Sequence, residues 1–280
     1  MATRTLHWCF KIGKRKKSIY FYKDVLQMTP LRHEENDKGC EATCNGPYNN
    51  KWSKTMIGYG PEDNNFVFEL TYNYPIKSYA IGNDFRYVEI ESTKALNNIK
   101  SLNWQNKVIE NGLLEVCDPD GYVFRIKEGE NKVTKLALNV ESLQKSLDYW
   151  VNVLQMKVYN KTNNTALLGF GDDHCKLELN EIGTKIDHRT AWGRIAFSRP
   201  LNDIRKLNEI VNEKKLPILH KMIELGTPGK ATVAVVIFLD PDGYEICFVG
   251  DENYTLLCTV DPKADTLLQK ALETDPTDIA

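Results

Sequence analysis

Two residues stand out for chemistry because of the runs that contain them. Glu69 lies inside FVFELTYN, residues 66–73, where it alternates with Val67 and Thr71 while Phe66, Phe68, Leu70 and Tyr72 take the opposite side of a strand. A carboxylate in so apolar a run needs a cation or strong hydrogen bonds beside it. His7 lies in a second alternating run, LHWCFKI at 6–12, in which His7, Cys9 and Lys11 share one side and Leu6, Trp8, Phe10 and Ile12 the other. The histidine is therefore expected to point away from the packed layer. The seven cysteines, Cys9, Cys40, Cys44, Cys117, Cys175, Cys247 and Cys258, are odd in number and scattered, which predicts a reducing compartment. Only Cys40 and Cys44 are close together. No second pair follows them and Gly, Asn and Pro surround them, so a zinc site there is not expected.

The elements that carry these residues belong to a chain of 280 residues, enough for two domains, each with its own core. Hydrophobic residues make up 42% and charged residues 26%, which excludes a disordered chain. A net charge of −2 argues against a duplex nucleic-acid binder. The longest apolar run, 231–239, is far too short to span a membrane as a helix. Arg4, Lys11, Lys14, Arg15, Lys16, Lys17 and Lys23 all precede the first acid, Asp24, a composition shared with mitochondrial presequences. The strand pattern of 6–12 argues instead for folded protein, so a cytoplasmic location is expected, with mitochondrial targeting left open.

Repeats set the organisation. Residues 5–28, TLHWCFKIGKRKKSIYFYKDVLQM, lie over 133–156, VTKLALNVESLQKSLDYWVNVLQM, without a gap, and the turn sequence DPDGY occurs at 118–122 and again at 240–244. The halves, 1–130 and 131–256, are followed by an acidic tail, 257–280, expected to be loose apart from a short helix near 265–272. Within the first half, strand 6–12 leads to a helix over 16–26 and extended runs at 31–34, 53–59 and 66–72. A second set follows, with strand 85–91, a helix near 94–100 and a hairpin of 113–117 with 122–127. The second half repeats this with strands 135–140, 166–170, 176–179, 193–197, 232–239 and 245–249 and helices over 146–154 and 202–214. The prediction is an α+β fold of four βαβββ units.

Four such units, with DPDGY in the last hairpin of each half, resemble the glyoxalase/bleomycin-resistance/dioxygenase proteins, or vicinal oxygen chelate proteins, over about residues 4 to 255. Leu6-His7, FYKDVLQM and ELTYN at 69–73 resemble glyoxalase I in particular. The resemblance implies tandem domains with curled mixed sheets enclosing pockets, each with a divalent metal held by the first and last strands of the contributing units. A Lewis acid and a carboxylate base are what an enediolate-forming isomerisation requires. Carried over position by position, the first unit keeps His7 and Glu69. The second has Tyr87 and Arg125, the third Lys135 and Glu178, and the fourth Arg194 and Cys247.

Pairing of unit one with unit four would gather His7, Glu69, Arg194 and Cys247, a set able to hold zinc or nickel through His7, Glu69 and Cys247. Pairing with unit two would instead gather His7, Glu69, Tyr87 and Arg125. At most one metal site follows under either pairing. His7 and Glu69 are the implied catalytic pair, Lys11 and Asn73 the implied holders of glutathione carboxylates, and Arg194 and Lys135 candidate anion contacts. Plainer readings stay open: a hydrogen-bonded His7–Glu69 pair, a packed Cys247 thiol, and Arg194 and Lys135 neutralising neighbouring acids. Glu89 and Glu91 read as solvated or paired, and 226–230, GTPGK, as a hairpin connection that could close over a ligand. The implied activity is isomerisation of the methylglyoxal–glutathione hemithioacetal. The alternative is a catalytically degenerate protein that binds an anionic metabolite or partner without metal. The partner is expected to be a small molecule, and four fused units predict a monomer.

Overall fold

The computed structural model describes residues 3–110, 112–226 and 231–275. Four units follow one another, each a strand, a helix and three strands. The first comprises β1 (Arg4–Lys11), α1 (Arg15–Tyr20, continued as a π turn over Phe21–Val25), β2 (Thr29–Asn36), β3 (Trp52–Gly58) and β4 (Val67–Asn73). The second comprises β5 (Phe85–Glu91), α2 (Thr93–Ser101), β6 (Asn106–Val108), β7 (Leu114–Cys117) and β8 (Val123–Lys127). The third comprises β9 (Lys132–Val140), α3 (Leu143–Trp150), β10 (Lys157–Lys161), β11 (Thr165–Gly169) and β12 (Lys176–Glu181). The fourth comprises β13 (Arg194–Arg199), α4 (Leu201–Glu213), β14 (Ile218–Gly226), β15 (Thr232–Leu239) and β16 (Glu245–Gly250), and α5 (Asp251–Leu257) and α6 (Ala264–Thr274) close the chain.

The units form two eight-stranded mixed sheets, and the sheets do not follow the sequence halves. One runs β14-β15-β16-β13-β1-β4-β3-β2, so the first unit shares it with the fourth. The other runs β10-β11-β12-β9-β5-β8-β7-β6 and joins the second unit to the third. Within each unit the first strand lies parallel to the last, and the units meet through antiparallel first strands, β1 with β13 and β5 with β9. Among the described residues no helix is long and apolar enough to cross a membrane.

The main core lies between the two sheets. Phe10 of β1 sits 5.5 Å from Phe85 and 4.5 Å from Tyr122, with Trp8, Phe68 and Phe124 packed around them, and all but the partly buried Phe85 are fully or almost fully buried. Each fully buried ring contributes roughly 1.5–3 kcal/mol by leaving water. The DPDGY turns staple the units together. Asp118 accepts the N–H groups of Asp120, Gly121 and Tyr122 at 2.8–2.9 Å, and Gly121 adopts φ +102, a conformation costly for other residues. The Tyr122 hydroxyl donates to the Lys11 carbonyl at 3.0 Å, and in the repeat Tyr244 donates to the Asp84 and Asn139 carbonyls at 2.8 and 2.6 Å.

Three expectations are corrected. Leu6 does not share a side with Trp8 and Phe10. A bulge in β1 between Thr5 and His7 turns it toward Ala196, Val235 and Cys247. The tail is docked, not loose, as far as residue 275, while 276–280 lie outside the described residues. α6 packs on β2 with Leu268 fully buried, and the buried Arg15 guanidinium reaches Asp275 at 3.3 Å and Glu35 at 2.6 Å. Cys40 and Cys44 are joined as a disulfide in a tight turn, Thr43 N–H donating to the Cys40 carbonyl at 2.8 Å, so that pair departs from the expectation of wholly reduced cysteines. Of the proposed closing loop at 226–230, residues 227–230 lie outside the described residues.

Candidate active site

The face of the first sheet away from the core carries a small cavity of about 110 Å³. His7 and Cys9 reach it from β1, Glu69 from β4, Arg194 from β13 and Cys247 from β16. Ala42 and Cys44 of the loop between β2 and β3 cover one side, and Tyr254 and Leu257 of α5 cover another. The positions follow from register: His7 faces Ala196 across the β1–β13 seam, Ala196 faces Cys247, and Cys9 faces Glu69. The first unit therefore builds its pocket with the fourth.

His7 is fixed by a residue that sequence reasoning missed. Its Nδ1 lies 2.5 Å from Oε1 of Glu62, a fully buried carboxylate in the turn before β4, while Nε2 faces Glu69 at 3.8 Å. Arg32 donates to the other Glu62 oxygen at 2.7 Å and is itself anchored on the Leu257 carbonyl of α5. Burial would raise the Glu62 carboxyl, but His7 and Arg32 overcome it and hold Glu62 down at about 2. Glu69 is 7% exposed and accepts a long hydrogen bond, 3.4 Å, from the Thr71 hydroxyl. Besides His7, the partly buried Lys54 ammonium of β3 lines the same cavity and acts electrostatically on this carboxylate.

One ligand atom each from His7, Cys9 and Glu69 lie within 4.8 Å of one another. This donor set suits zinc or another borderline divalent cation, with room for an open coordination position. The Glu62–His7 bond is the carboxylate–histidine arrangement that orients an imidazole ligand and raises its basicity. Cys247 lines the cavity but is not in that compact group, so Cys9 takes the place that the resemblance gave to Cys247. Burial pushes the Cys247 thiol up to about 12 and that of Cys9 well above the ordinary range, with Glu69 adding to both. A bound cation would deprotonate Cys9. The signal for Cys9 was available, since it sits two residues from His7 on the same side of β1. Glu62, in the sequence PEDNN, gave none.

The other candidates are placed differently. Arg194 commits its guanidinium to Glu245, at 2.5 and 2.7 Å, and to the Ala42 and Thr43 carbonyls at 2.9 and 3.4 Å, pinning the covering loop to the sheet. Lys11 is 2% exposed. Its Nζ donates to the Trp192 carbonyl at 2.5 Å and stands 3.1 Å from the centre of that indole, and burial pulls it down to about 7 although Glu245 opposes. Asn73 donates to the Asn45 carbonyl and the Tyr79 hydroxyl, both at 2.9 Å, and accepts from the Asn45 amide. Neither Lys11 nor Asn73 lines the cavity. Both hold the fold where the resemblance implied glutathione contacts. In the other sheet Lys135 bridges Glu178 at 3.1 Å and Glu89 at 3.3 Å, Tyr87 donates to Glu178 at 2.8 Å, and Arg125 pairs with Glu115 at 3.0 Å. That site is a closed charge network.

Paired βαβββ units with a His/Cys/Glu cluster on the free face of the shared sheet define a protein of the glyoxalase fold. Glyoxalase I from Zea mays superimposes with a TM-score of 0.72 at 25% identity, over 91% of this chain and 94% of that one. The chain belongs to the glyoxalase domain-containing protein 4 family. Glyoxalase domain-containing protein 4 of Rattus norvegicus is 48% identical over 284 residues, 99% of this chain and 95% of the relative. Glyoxalase 1 of Caenorhabditis elegans is 44% identical over 98% of each chain. The family profile described as glyoxalase domain-containing protein 4-like, C-terminal domain, matches residues 142–257.

Proposed function

We propose that the site isomerises the hemithioacetal of methylglyoxal and glutathione, as the glyoxalase names of its relatives suggest. The observation that carries this reading is the compact His7–Cys9–Glu69 group with His7 held by Glu62. A zinc or nickel ion bound there would polarise the oxygens of the substrate as a Lewis acid. Glu69, facing the cavity between His7 and Lys54, moves the proton between adjacent carbons. Glu62 and Arg32 keep the imidazole in one orientation throughout. Valines 233, 235 and 249 give the site dry walls that strengthen its electrostatics.

The cavity is smaller than the ~300 Å³ at the low end for small-molecule sites, so admission of substrate requires α5 or the Cys40–Cys44 loop to move. With Lys11 and Asn73 committed elsewhere, the glutathione portion contacts other groups. We place the activity in the cytoplasm, in a chain acting as a monomer. The metal-free anion binder has less support, because Arg194, Lys135 and Arg125 each already face a glutamate.

Metal analysis of the purified protein, followed by hemithioacetal turnover with and without added zinc or nickel, tests the proposal. Stoichiometric metal and turnover lost in Glu69→Gln are expected. A protein that neither binds metal nor turns over the adduct would be a degenerate member of the fold.

A further inference from the structure

A second cavity, of about 430 Å³, opens where the third and fourth units meet the start of β1. It lies at the end of β13 on the side of the sheet opposite Arg194: Ile195 and Phe197 point into the intersheet core, and Arg199 continues that side. Its walls are Val153, Leu207 and Ile210, with Thr3 and Gln155 as polar groups and Arg199, Asp203 and Lys206 as charges.

Arg199 is the unusual member. It is only 6% exposed, and among the described residues it forms no ion pair. Nε donates to the Thr3 hydroxyl at 2.7 Å and Nη2 to the Leu154 carbonyl at 3.0 Å, which fixes the group, and the rings of Phe170 and Phe248 stand 5.6 and 5.3 Å away. The other largely buried arginines among the described residues, Arg15, Arg32 and Arg194, each have a carboxylate partner. A buried cation without a counter-charge is expensive, and among the described residues Nη1 of Arg199 has no acceptor. Lys206 stands at the rim, 72% exposed, and its contact with Asp203 at 3.3 Å is of the exposed kind that contributes little. Asp203 reduces the positive charge of the cavity without neutralising Arg199.

We propose that this cavity binds the oxyanion group, phosphate or carboxylate, of a small metabolite. Arg199 is the buried anchor, Lys206 the rim charge, and Val153, Leu207 and Ile210 the surface for the apolar body. A fixed guanidinium with free N–H donors is the group best suited to such an oxyanion. The site lies outside the His7 pocket and does not depend on the proposed isomerase activity.

Calorimetric titration of the full-length protein with inorganic phosphate, and separately with succinate, at constant ionic strength tests the proposal. Saturable one-to-one binding of at least one of them is expected, and the stronger of the two identifies the class. Arg199→Gln should weaken it roughly tenfold or more, since a charge-assisted bond is lost. Lys206→Glu, on the surface and harmless to folding, should weaken it roughly threefold. If Arg199→Gln does not fold, the change in affinity of Lys206→Glu alone decides. Absence of saturable binding, or wild-type binding in the variants that fold, overturns the site.

Discussion

Glu62→Gln tests whether the His7 site is built as described. The substitution keeps the shape of the side chain and removes its charge. Two charge-assisted bonds end on that carboxylate, from His7 at 2.5 Å and Arg32 at 2.7 Å, and all three groups are buried. At roughly 1.5–3 kcal/mol for each such bond, losing one outright and the charge assistance of the other, about half its strength, brings the loss to about 3 kcal/mol. That is at the low end of the ~3–5 kcal/mol for breaking a buried ion pair from one side. Against a total stability of roughly 5–15 kcal/mol the variant should fold but melt several degrees lower, at about 2–4 °C per kcal/mol for a chain of this size. Loss of the group that orients the imidazole should also weaken zinc binding roughly 10–100-fold. Urea denaturation followed by circular dichroism gives the first quantity, and competition with a chromophoric chelator gives the second. A variant with the wild-type urea midpoint and wild-type zinc affinity would refute the reasoning, because Glu62 would then neither hold Arg32 nor orient His7.

Other expected outcomes discriminate further between residues. Cys9→Ser should lower zinc affinity by roughly a factor of ten or more while Cys247→Ser changes it little, as chelator competition would show; equal effects would restore Cys247 to the ligand set. Lys11→Met should leave the binding of S-methylglutathione unchanged in calorimetry, because the ammonium is already held by Trp192. Arg15→Met, which removes the buried guanidinium that pairs with both Glu35 and Asp275, should cost about 3–5 kcal/mol and speed hydrogen exchange in α6. Glu35 is pushed up by burial, but its bonds to His33, Tyr74 and Arg15 win and hold it at about 2. Its contribution to stability is present above about 4.5, the ordinary glutamate value, and is lost as pH falls toward 2, so Glu35→Gln should flatten that limb of a pH–urea profile.

The repeat, the four units and the orientation of His7 and Glu69 were legible because each rests on local pattern: alternation in 6–12 and 66–73, and a turn sequence recurring in register. What escaped the sequence was non-local or exposed. The β1–β13 pairing joins strands of the first and fourth units, far apart in the chain, and no pattern within either strand names its partner. β10 (KVYNK) is largely exposed and lacks a clean apolar alternation, and β6 has only three residues, so neither announces itself as a strand. The bulge that turns Leu6 depends on its neighbour strand and breaks the period-two rule used to read that stretch. Alternation alone places Cys9 on the His7 side of β1, whereas the resemblance implies Cys247 by its position in the fourth unit. Lys11 and Asn73 matched a binding pattern by position, and only the packed loop around Asn45 and Trp192 shows that their polar atoms are already used.

The exchange of units also sets an order of assembly. The sheet of the second and third units is joined through β5 and β9, which are close in the chain, so it can form while the fourth unit is still being synthesised. β1 must wait for β13, and closing so long a loop before any contact rewards it is entropically unfavourable and slow. Until then β1 presents an unpaired edge and an open apolar side, both liabilities for aggregation. A chain ending before Arg194 would keep His7, Cys9, Glu62 and Glu69, yet it would lack the strands and α5 that enclose them. All the candidate ligands come from the first quarter of the sequence, but the pocket exists only once the last quarter has folded back onto it.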